Sequence, residues 1–270
     1  MKEVSSLPAA AALLLVAHGS ARYPDAAAAL LRHARTLRTS GAFSQVEIGL
    51  LNGAPSVSEA LACIRGETVL VVPFFMEAGY FTNIAIPGSL RGDPRARCCL
   101  PVGLHAGMAD IMEAQGLAGC AAATSRPHET VLLAVGHGSA RSPGRALALY
   151  DHAAAVASRK TFARVATACL EEAPLLGDAL QELRAHPVVV VGFFAGEGMH
   201  MRDDVPNAIA AERAARGPDG APVWLQGSVA DDPSICAIIA AQAASRGSVS
   251  ACSPMLEATQ RRIATDGGTG

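Results

Sequence analysis

Two histidines and a pair of glutamates follow apolar runs in the second half of this 270-residue sequence. His137 comes directly after VLLAVG, Glu171 and Glu172 come after VATACL, and His200 comes shortly after VVVVGFF. Two imidazoles and a carboxylate are suitable ligands for a divalent first-row metal, and imidazole suits Fe, Co, Ni and Zn. The same groups can accept protons near neutral pH. The residue types therefore predict metal binding combined with proton transfer.

An internal repeat indicates how these residues are positioned. A shift of 119 positions (137 − 18) aligns residues 13–34 with 132–153, and 14 of these 22 positions are identical. The same register aligns VVPFF (71–75) with VVGFF (190–194) without a gap. Self-similarity at a fixed spacing is the mark of a duplicated structural unit. We predict domains at 1–118 and 130–246, a linker at 119–129 and a flexible tail at 247–270.

Apolar runs alternate with helical patterns in both halves. The predicted strands are 13–17, 46–51, 69–75 and 97–103 in the first half, and 131–135, 164–170, 188–194 and 223–227 in the second. Helices are expected at Pro24–Thr39 and Pro55–Arg65. This alternation predicts an α/β fold with two similar domains, each a parallel sheet flanked by helices. Ligands of such sheets bind beyond the carboxyl ends of the strands, where the polar residues lie.

The first half keeps only part of the polar set. His18 matches His137, but Asn52 and Phe81 stand where the second half has Glu171 and His200. We therefore expect one intact metal site, with the first half forming an apolar wall of the substrate pocket that suits a flat ligand. A Gly-Ser turn exposes backbone N–H groups and arginine grips carboxylates in a forked geometry, which favours a polycarboxylate ligand. The candidate substrate-binding residues are His18, Ser20, Arg22, Phe81, Ser139, Arg141 and Arg202.

Composition excludes several classes of protein. Half of the residues are hydrophobic and 17% are charged, which excludes a disordered chain. The net charge of −2 gives no indication of nucleic-acid binding, and no apolar run is long enough to cross a bilayer. The seven cysteines form no C-x-x-C pair, so we expect free thiols in a reducing compartment. The apolar run at 9–17 recurs inside the chain at 131–136, so we interpret it as a strand of a cytoplasmic protein.

The motifs at these positions resemble those of the CbiX/SirB sirohydrochlorin chelatases. The resemblance rests on the two HGS-x-R turns, the glutamate after the second strand, and the G-x-H-x-x-x-D-V-P segment (198–206). It implies the two-lobed α/β fold of protoporphyrin ferrochelatase and insertion of Co²⁺ or Fe²⁺ into sirohydrochlorin, towards cobalamin or sirohaem, without ATP. The family's metal-binding His, Glu and His correspond to His137, Glu171 and His200. The CLEEAP segment leaves Glu171 and Glu172 as alternatives for the carboxylate.

The predicted activity is that of an ATP-independent metal chelatase. Its partner is a tetrapyrrole, and no cofactor is expected beyond the divalent metal substrate, Co²⁺, Fe²⁺ or Ni²⁺. No nucleic-acid or membrane partner is expected, and the chain is expected to act as a monomer or homodimer. One alternative is a non-catalytic carrier of a tetrapyrrole or metal. A serine hydrolase built on Ser139 or Ser20 is disfavoured, because neither turn has the G-x-S-x-G spacing.

Overall fold

Two four-stranded parallel sheets form the framework of the protein, one in each half of the repeat. The structure is a computed structural model that describes residues 11–19, 27–90, 92–140, 146–196 and 198–245. The sheets have the strand orders β2-β1-β3-β4 and β6-β5-β7-β8, so the halves share one topology. The predicted α/β fold of two similar domains, each with a parallel sheet and helices, is confirmed.

The first sheet contains β1 (Ala12–Ala17), β2 (Val46–Leu50), β3 (Val69–Pro73) and β4 (Ala96–Cys98). All residues of β1 and β3 are buried, as expected for strands covered on both faces. Its helices are α1 (Ala28–Ser40), α2 (Val57–Cys63) and α3 (Ile86–Ser89). α2 is shorter than predicted because Ser56 and Glu59 form a capping box at its start. The predicted start of α1 at Pro24 lies outside the described residues.

The second sheet contains β5 (Val131–Gly136), β6 (Arg164–Cys169), β7 (Val188–Gly192) and β8 (Val223–Ser228). Its flanking helices are α5 (Leu147–Ser158), α6 (Leu176–Glu182) and α7 (Val205–Arg216). β5 and β7 are fully buried, and alternate residues of β5 pack in a core with residues of α6 and α7. Both β3 and β7 end two residues before the predicted limits, and Phe75 and Phe194, which follow them, pack against or within the hydrophobic cores of their sheets.

A π-helical turn follows the third strand in each half. These turns, Phe81–Ala85 and His200–Asp204, run directly into α3 and α7, whose second residues are Pro87 and Pro206. Each proline lacks the N–H that another residue would donate to a carbonyl of the preceding turn, so the helical hydrogen-bond pattern is interrupted at this point. π-Helical turns are rare and frequently occur at functional sites. The sequence did not predict them.

Two helices are exchanged between the halves of the repeat. α4 (Met108–Ala122) packs against α5, β7 and β8, whereas α8 (Ile235–Ala244) lies, apart from Ile235, in the compact unit that contains the first sheet. Gly119 allows α4 to approach β7, since a Cβ there would lie 2.5 Å from the Val189 side chain. Within α8, the Gln242 amide donates to the Pro101 carbonyl (2.8 Å).

The compact units therefore differ from the repeat halves. Residues 119–122, predicted as linker, form the last turn of α4, and the predicted tail at 247–270 lies outside the described residues. Among the described residues, the first unit comprises 11–19, 30–90, 92–102 and 236–245, and the second comprises 27–29, 103–140, 146–196 and 198–235.

The six cysteines in the described part of the chain are free thiols. Cys99 is buried beside β4, and this burial raises the pKa of its thiol to about 12. A thiol in such surroundings remains protonated and unreactive. None of the helices described here is long and apolar enough to span a membrane.

Candidate active site

Three strand ends of the second sheet carry the candidate metal ligands. His137 follows β5, Glu171 follows β6, and His200 begins the π-helical turn after β7. Because β5 lies between β6 and β7, His137 is expected to be the central member. Its Nε2 atom lies 3.7 Å from Glu171 Oε1, and its ring centroid lies 4.6 Å from that of His200. The structure thus brings Glu171 and His200 to either side of His137.

Both imidazoles are oriented through their Nδ1 atoms. His137 Nδ1 lies 2.9 Å from the Gly138 carbonyl oxygen, and His200 Nδ1 lies 2.7 Å from Asp204 Oδ2. These oxygens accept hydrogen bonds, so each Nδ1 carries a proton, and in a neutral ring the lone pair then lies on Nε2. A metal-binding histidine usually has this arrangement, with its other nitrogen donating to a carboxylate or a carbonyl. Asp204 therefore supports His200, a role that the motif alone did not reveal.

His137 Nε2 and Glu171 Oε1 lie slightly farther apart than two ligand atoms on the same metal ion. Two ligand atoms on one tetrahedral ion, each about 2.1 Å from it, lie roughly 3.4 Å apart, close to the 3.7 Å between His137 Nε2 and Glu171 Oε1. In the described ranges, which omit Glu197, no three His, Cys, Asp or Glu side chains already form a metal-binding group. The side chains would have to rearrange for all three groups to surround an ion.

The two adjacent glutamates have different surroundings. The Glu171 side chain is 50% exposed and faces His137. Glu172 is 5% exposed and points into the protein, where it accepts hydrogen bonds from the Ser139 N–H (3.0 Å) and the Tyr150 hydroxyl (2.7 Å). Of the two alternatives left by the sequence, Glu171 is the carboxylate that lies at the histidines.

Tyr150 is a site residue that sequence reasoning missed. Burial and the hydrogen bond to Glu172 raise the pKa of Tyr150 well above its ordinary value, so its hydroxyl remains a donor. Comparison of the two repeats could have identified Tyr150. The matching position in the first half is Leu31, which is apolar and has no hydroxyl group.

The HGS turn carries His137 through a left-handed glycine. Gly138 has φ +69°, and a Cβ there would lie 2.6 Å from Glu172 Cγ and 2.7 Å from Cys169 Cβ. Only glycine adopts this conformation and approach without strain. Gly19 has the same role in the first half, with φ +71° and a Cβ position 2.5 Å from the Asn52 carbonyl oxygen.

The first half repeats the geometry with different chemistry. His18 Nε2 lies 3.2 Å from the Asn52 side-chain amide nitrogen, and its ring meets Phe81 edge-on at 4.6 Å between centroids. Phe81 is 39% exposed and Tyr80 is 65% exposed, so this turn presents aromatic surface to solvent. Ala85 stands at the place of Asp204.

The remaining predicted substrate-binding residues are only partly described. Ser139 is half-buried in the turn, and Arg202 is exposed two residues after His200. Ser20, Arg22 and Arg141 lie outside the described residues.

Comparison with known proteins gives one family. The sequence model of the CbiX family matches residues 12–116 and 131–246, which follow the two halves of the repeat. A curated protein of Halobacterium salinarum, named probable sirohydrochlorin cobaltochelatase, is 28% identical over 87% of this chain and 91% of its own length.

Solved structures share the fold. A multi-domain protein of Deinococcus radiodurans, described as similar to chelatases, is 27% identical, with a TM-score of 0.76 over 89% of this chain. This chain spans 57% of that protein's length. SirB of Bacillus subtilis, solved with Fe³⁺, has a TM-score of 0.73 at 17% identity, covering 89% of this chain and 96% of SirB. The SirB likeness shows the fold alone.

Proposed function

This chain belongs to the CbiX family, as its motifs predicted, and we propose that it inserts Co²⁺ or Fe²⁺ into sirohydrochlorin or a related tetrapyrrole without ATP. The observation that carries the proposal is the rim of the second sheet. There, two imidazoles with free Nε2 lone pairs lie beside the half-exposed Glu171 carboxylate. The name of the Halobacterium salinarum relative supports the same activity.

Insertion exchanges two pyrrole N–H protons for one divalent ion. We assign the incoming metal substrate to His137 and His200 through Nε2, with Glu171 as the third ligand. These ligands replace water around the ion, and a ligand that releases the ion to the macrocycle regains a lone pair. Each such group can then accept one of the displaced protons. Imidazole and carboxylate bind Fe²⁺, Co²⁺ and Ni²⁺ without strong discrimination, so the metal substrate is set by availability as well as by this site.

We assign contacts with the tetrapyrrole to residues beside the two turns. The exposed ring of Phe81 supplies a flat apolar surface, with His18 against its edge. The exposed guanidinium of Arg202 is suited to a peripheral carboxylate of the substrate. The other assigned substrate-binding residues are Ser20, Arg22, Ser139 and Arg141. We further propose a cytoplasmic protein that acts as a monomer or homodimer.

The test is metal insertion into sirohydrochlorin, followed by the change in its absorbance spectrum. Wild-type protein is expected to accelerate insertion of Co²⁺ or Fe²⁺ over the spontaneous reaction. His137→Ala and His200→Ala are expected to lose about 10²-fold or more of this rate, since each removes a metal ligand and a proton acceptor. Insertion at the wild-type rate by either variant contradicts the assignment. Tight binding of sirohydrochlorin without turnover by the wild type would instead favour a non-catalytic carrier.

A further inference from the structure

We propose that Glu172 is a positioning residue that holds His137 in its metal-binding orientation, an inference that rests on the proposed function. Glu172 is neither the carboxylate at the histidines nor exposed to substrate, being 5% exposed. Its burial next to the HGS turn therefore needs another explanation, because a buried carboxylate costs free energy unless its hydrogen bonds are satisfied.

The link from Glu172 to His137 runs through one peptide unit. Glu172 Oε2 accepts a hydrogen bond from the N–H of Ser139 (3.0 Å). The carbonyl of that same peptide belongs to Gly138, and it accepts the hydrogen bond from His137 Nδ1 (2.9 Å). Because a peptide unit is planar and rigid, fixing its N–H also fixes the direction of its carbonyl. Glu172 thereby sets both the ring orientation and the tautomer of His137.

Tyr150 holds the other oxygen of the carboxylate. Its hydroxyl donates to Glu172 Oε1 at 2.7 Å, so the carboxylate is fixed at both oxygens. Hydrogen bonds in such a chain polarise one another, which strengthens the Gly138 carbonyl as an acceptor.

The first half, which has Asn52 and Phe81 in place of the ligands Glu171 and His200, also lacks this arrangement. Gly53 and Leu31 stand at the places of Glu172 and Tyr150. The backbone link common to both halves is retained, since Asn52 N–H donates to the His18 carbonyl as Glu171 N–H donates to that of His137. The carboxylate and the tyrosine therefore accompany the ligand set and are not required to build the turn.

The experiment titrates the metal-free protein with Co²⁺ and follows both the dissociation constant and the visible ligand-field spectrum. Glu172→Ala is expected to weaken Co²⁺ binding by about 10- to 100-fold, the usual effect of removing a group that orients a ligand. The ligand-field spectrum of bound Co²⁺ is expected to change with it. A purely structural role would leave the spectrum of the folded fraction unchanged.

Glu172→Gln is the rescue variant. Its amide oxygen can accept from Ser139 N–H and its NH₂ can donate to the Tyr150 hydroxyl, which has free lone pairs. Co²⁺ affinity and spectrum are therefore expected to return close to wild type. If Glu172→Gln binds as weakly as Glu172→Ala, the hydrogen bonds are not the means and the proposal is overturned.

Tyr150→Phe keeps the test decisive if Glu172→Ala fails to fold. It removes one of the two hydrogen bonds to Glu172, so its Co²⁺ affinity is expected to lie between those of the wild type and Glu172→Ala. If Glu172→Ala does not fold, a Co²⁺ affinity of Tyr150→Phe equal to or above that of Glu172→Gln overturns the proposal.

Glu212→Gln is the matched control, because Glu212 is another buried carboxylate of this unit and its partners are Arg184 and Arg216. Its folded fraction is expected to bind Co²⁺ as the wild type does, and an equal loss of affinity there counts against a specific role for Glu172.

The same titration separates this inference from the proposed function. His137→Ala and His200→Ala are measured in parallel, and wild-type Co²⁺ affinity in both would refute the metal site itself. If those variants lose the metal while Glu172→Ala keeps wild-type affinity and spectrum, the site stands and only the role of Glu172 is refuted.

Discussion

The turns after the third strands of the two halves have nearly the same geometry and different chemistry. The ring of Phe81 stacks on Phe75 with centroids 6.1 Å apart and planes at 25°, and His200 stacks on Phe194 at 6.0 Å and 27°. Both rings meet the histidine of the HGS turn at 4.6 Å. The fold therefore determines where this ring lies, and the type of residue at this position determines whether the ring itself can act as a metal ligand.

The neighbouring positions change together with that ring. Where His200 is supported by Asp204, Phe81 is followed by Ala85, and where Glu171 faces His137, the neutral Asn52 faces His18. The first half therefore has no counterpart of the ligand His200, of its orienting carboxylate Asp204, or of the third ligand Glu171. A single reversion is therefore not expected to restore a site.

The largest effect is expected when the second half is converted to the first. His200→Phe keeps a ring that can stack on Phe194 but removes the Nε2 ligand, so metal insertion is expected to fall by about 10²-fold or more. The thermal unfolding midpoint is expected to stay near that of the wild type. Phe81→Leu serves as the control and should bind Co²⁺ normally. If His200→Phe inserts the metal at the wild-type rate, the His200 ring is neither a metal ligand nor a proton acceptor in the reaction.

The reverse conversion is expected to add a binding site. The triple variant Asn52→Glu, Phe81→His and Ala85→Asp gives the first half the ligands and the orienting carboxylate of the second. Equilibrium dialysis with Co²⁺ is expected to give one more bound equivalent than the wild type. Phe81→His alone, which lacks both carboxylates, is the control that should add none. An unchanged stoichiometry in the triple variant would mean that the backbone of the first half differs in ways the ring distances do not reveal.

A third comparison concerns the buried ion pair of the second unit. Glu212 is held between Arg184 and Arg216, and these hydrogen bonds lower the pKa of Glu212 below its ordinary value. A lowered pKa in the folded state stabilises the protein above the unfolded-state pKa near 4.5, and this contribution is lost as the pH falls through the folded-state pKa. Glu212→Gln is expected to cost about 3 kcal/mol at pH 7, since it leaves buried charge unpaired.

Urea unfolding at a series of pH values measures this contribution. The difference between wild type and Glu212→Gln should shrink as the pH is lowered below 4.5. Asp93→Asn in the first unit is the comparison, because the Asp93 side chain is more exposed than that of Glu212 (18% against 8%) and its partner Arg95 is more exposed than Arg216 (31% against 2%), so the loss should be smaller. A difference that stays constant with pH contradicts the ion-pair explanation.

The smallest effects are expected at the left-handed glycines. Gly138→Ala and Gly19→Ala should each destabilise the fold by about 1 to 3 kcal/mol, the cost of a non-glycine residue in this conformation. Gly19→Ala is expected to cost more, because the nearest atom to its Cβ would be a backbone oxygen, whereas the nearest atoms at Gly138 all belong to side chains. Gly41→Ala measures the cost of the left-handed backbone conformation without a steric clash, since Gly41 has φ +69° and no atom within 4 Å of its Cβ position. Equal losses at all three glycines would remove close approach as a factor.

The sequence predicted the buried strands well because such parallel strands have a strong pattern, whereas the strand predicted at 97–103 is only Ala96–Cys98 and is followed by a short helical turn at Val102–Leu104. Runs such as VVVV in β7 are apolar at every position, and the repeat supplied each strand twice. Grouping His137, a glutamate and His200 followed from the same reasoning, since parallel strands end at one edge of the sheet. The choice of Glu171 required the structure, because two adjacent glutamates differ in burial and not in type.

The exchanged helices could not be predicted from local pattern. α4 and α8 are rich in alanine and apolar residues on all sides, so their sequences do not indicate which sheet covers them. Tertiary packing alone decides that α4 joins β7 and β8. Similarly, nothing in FTNIA or HMRDD distinguishes a π-helical turn from the start of an ordinary helix.

The exchange of helices also governs the order in which the protein can be assembled. The first unit needs α8, whose residues are synthesised after almost every other described residue. Domains usually fold one after another as the chain emerges from the ribosome, beginning at the N-terminus. The described residues of the second unit all precede Cys236, so the second unit can be complete before the remainder of α8 is added to the first. Translation therefore completes the half bearing the histidine pair before the half that lacks it.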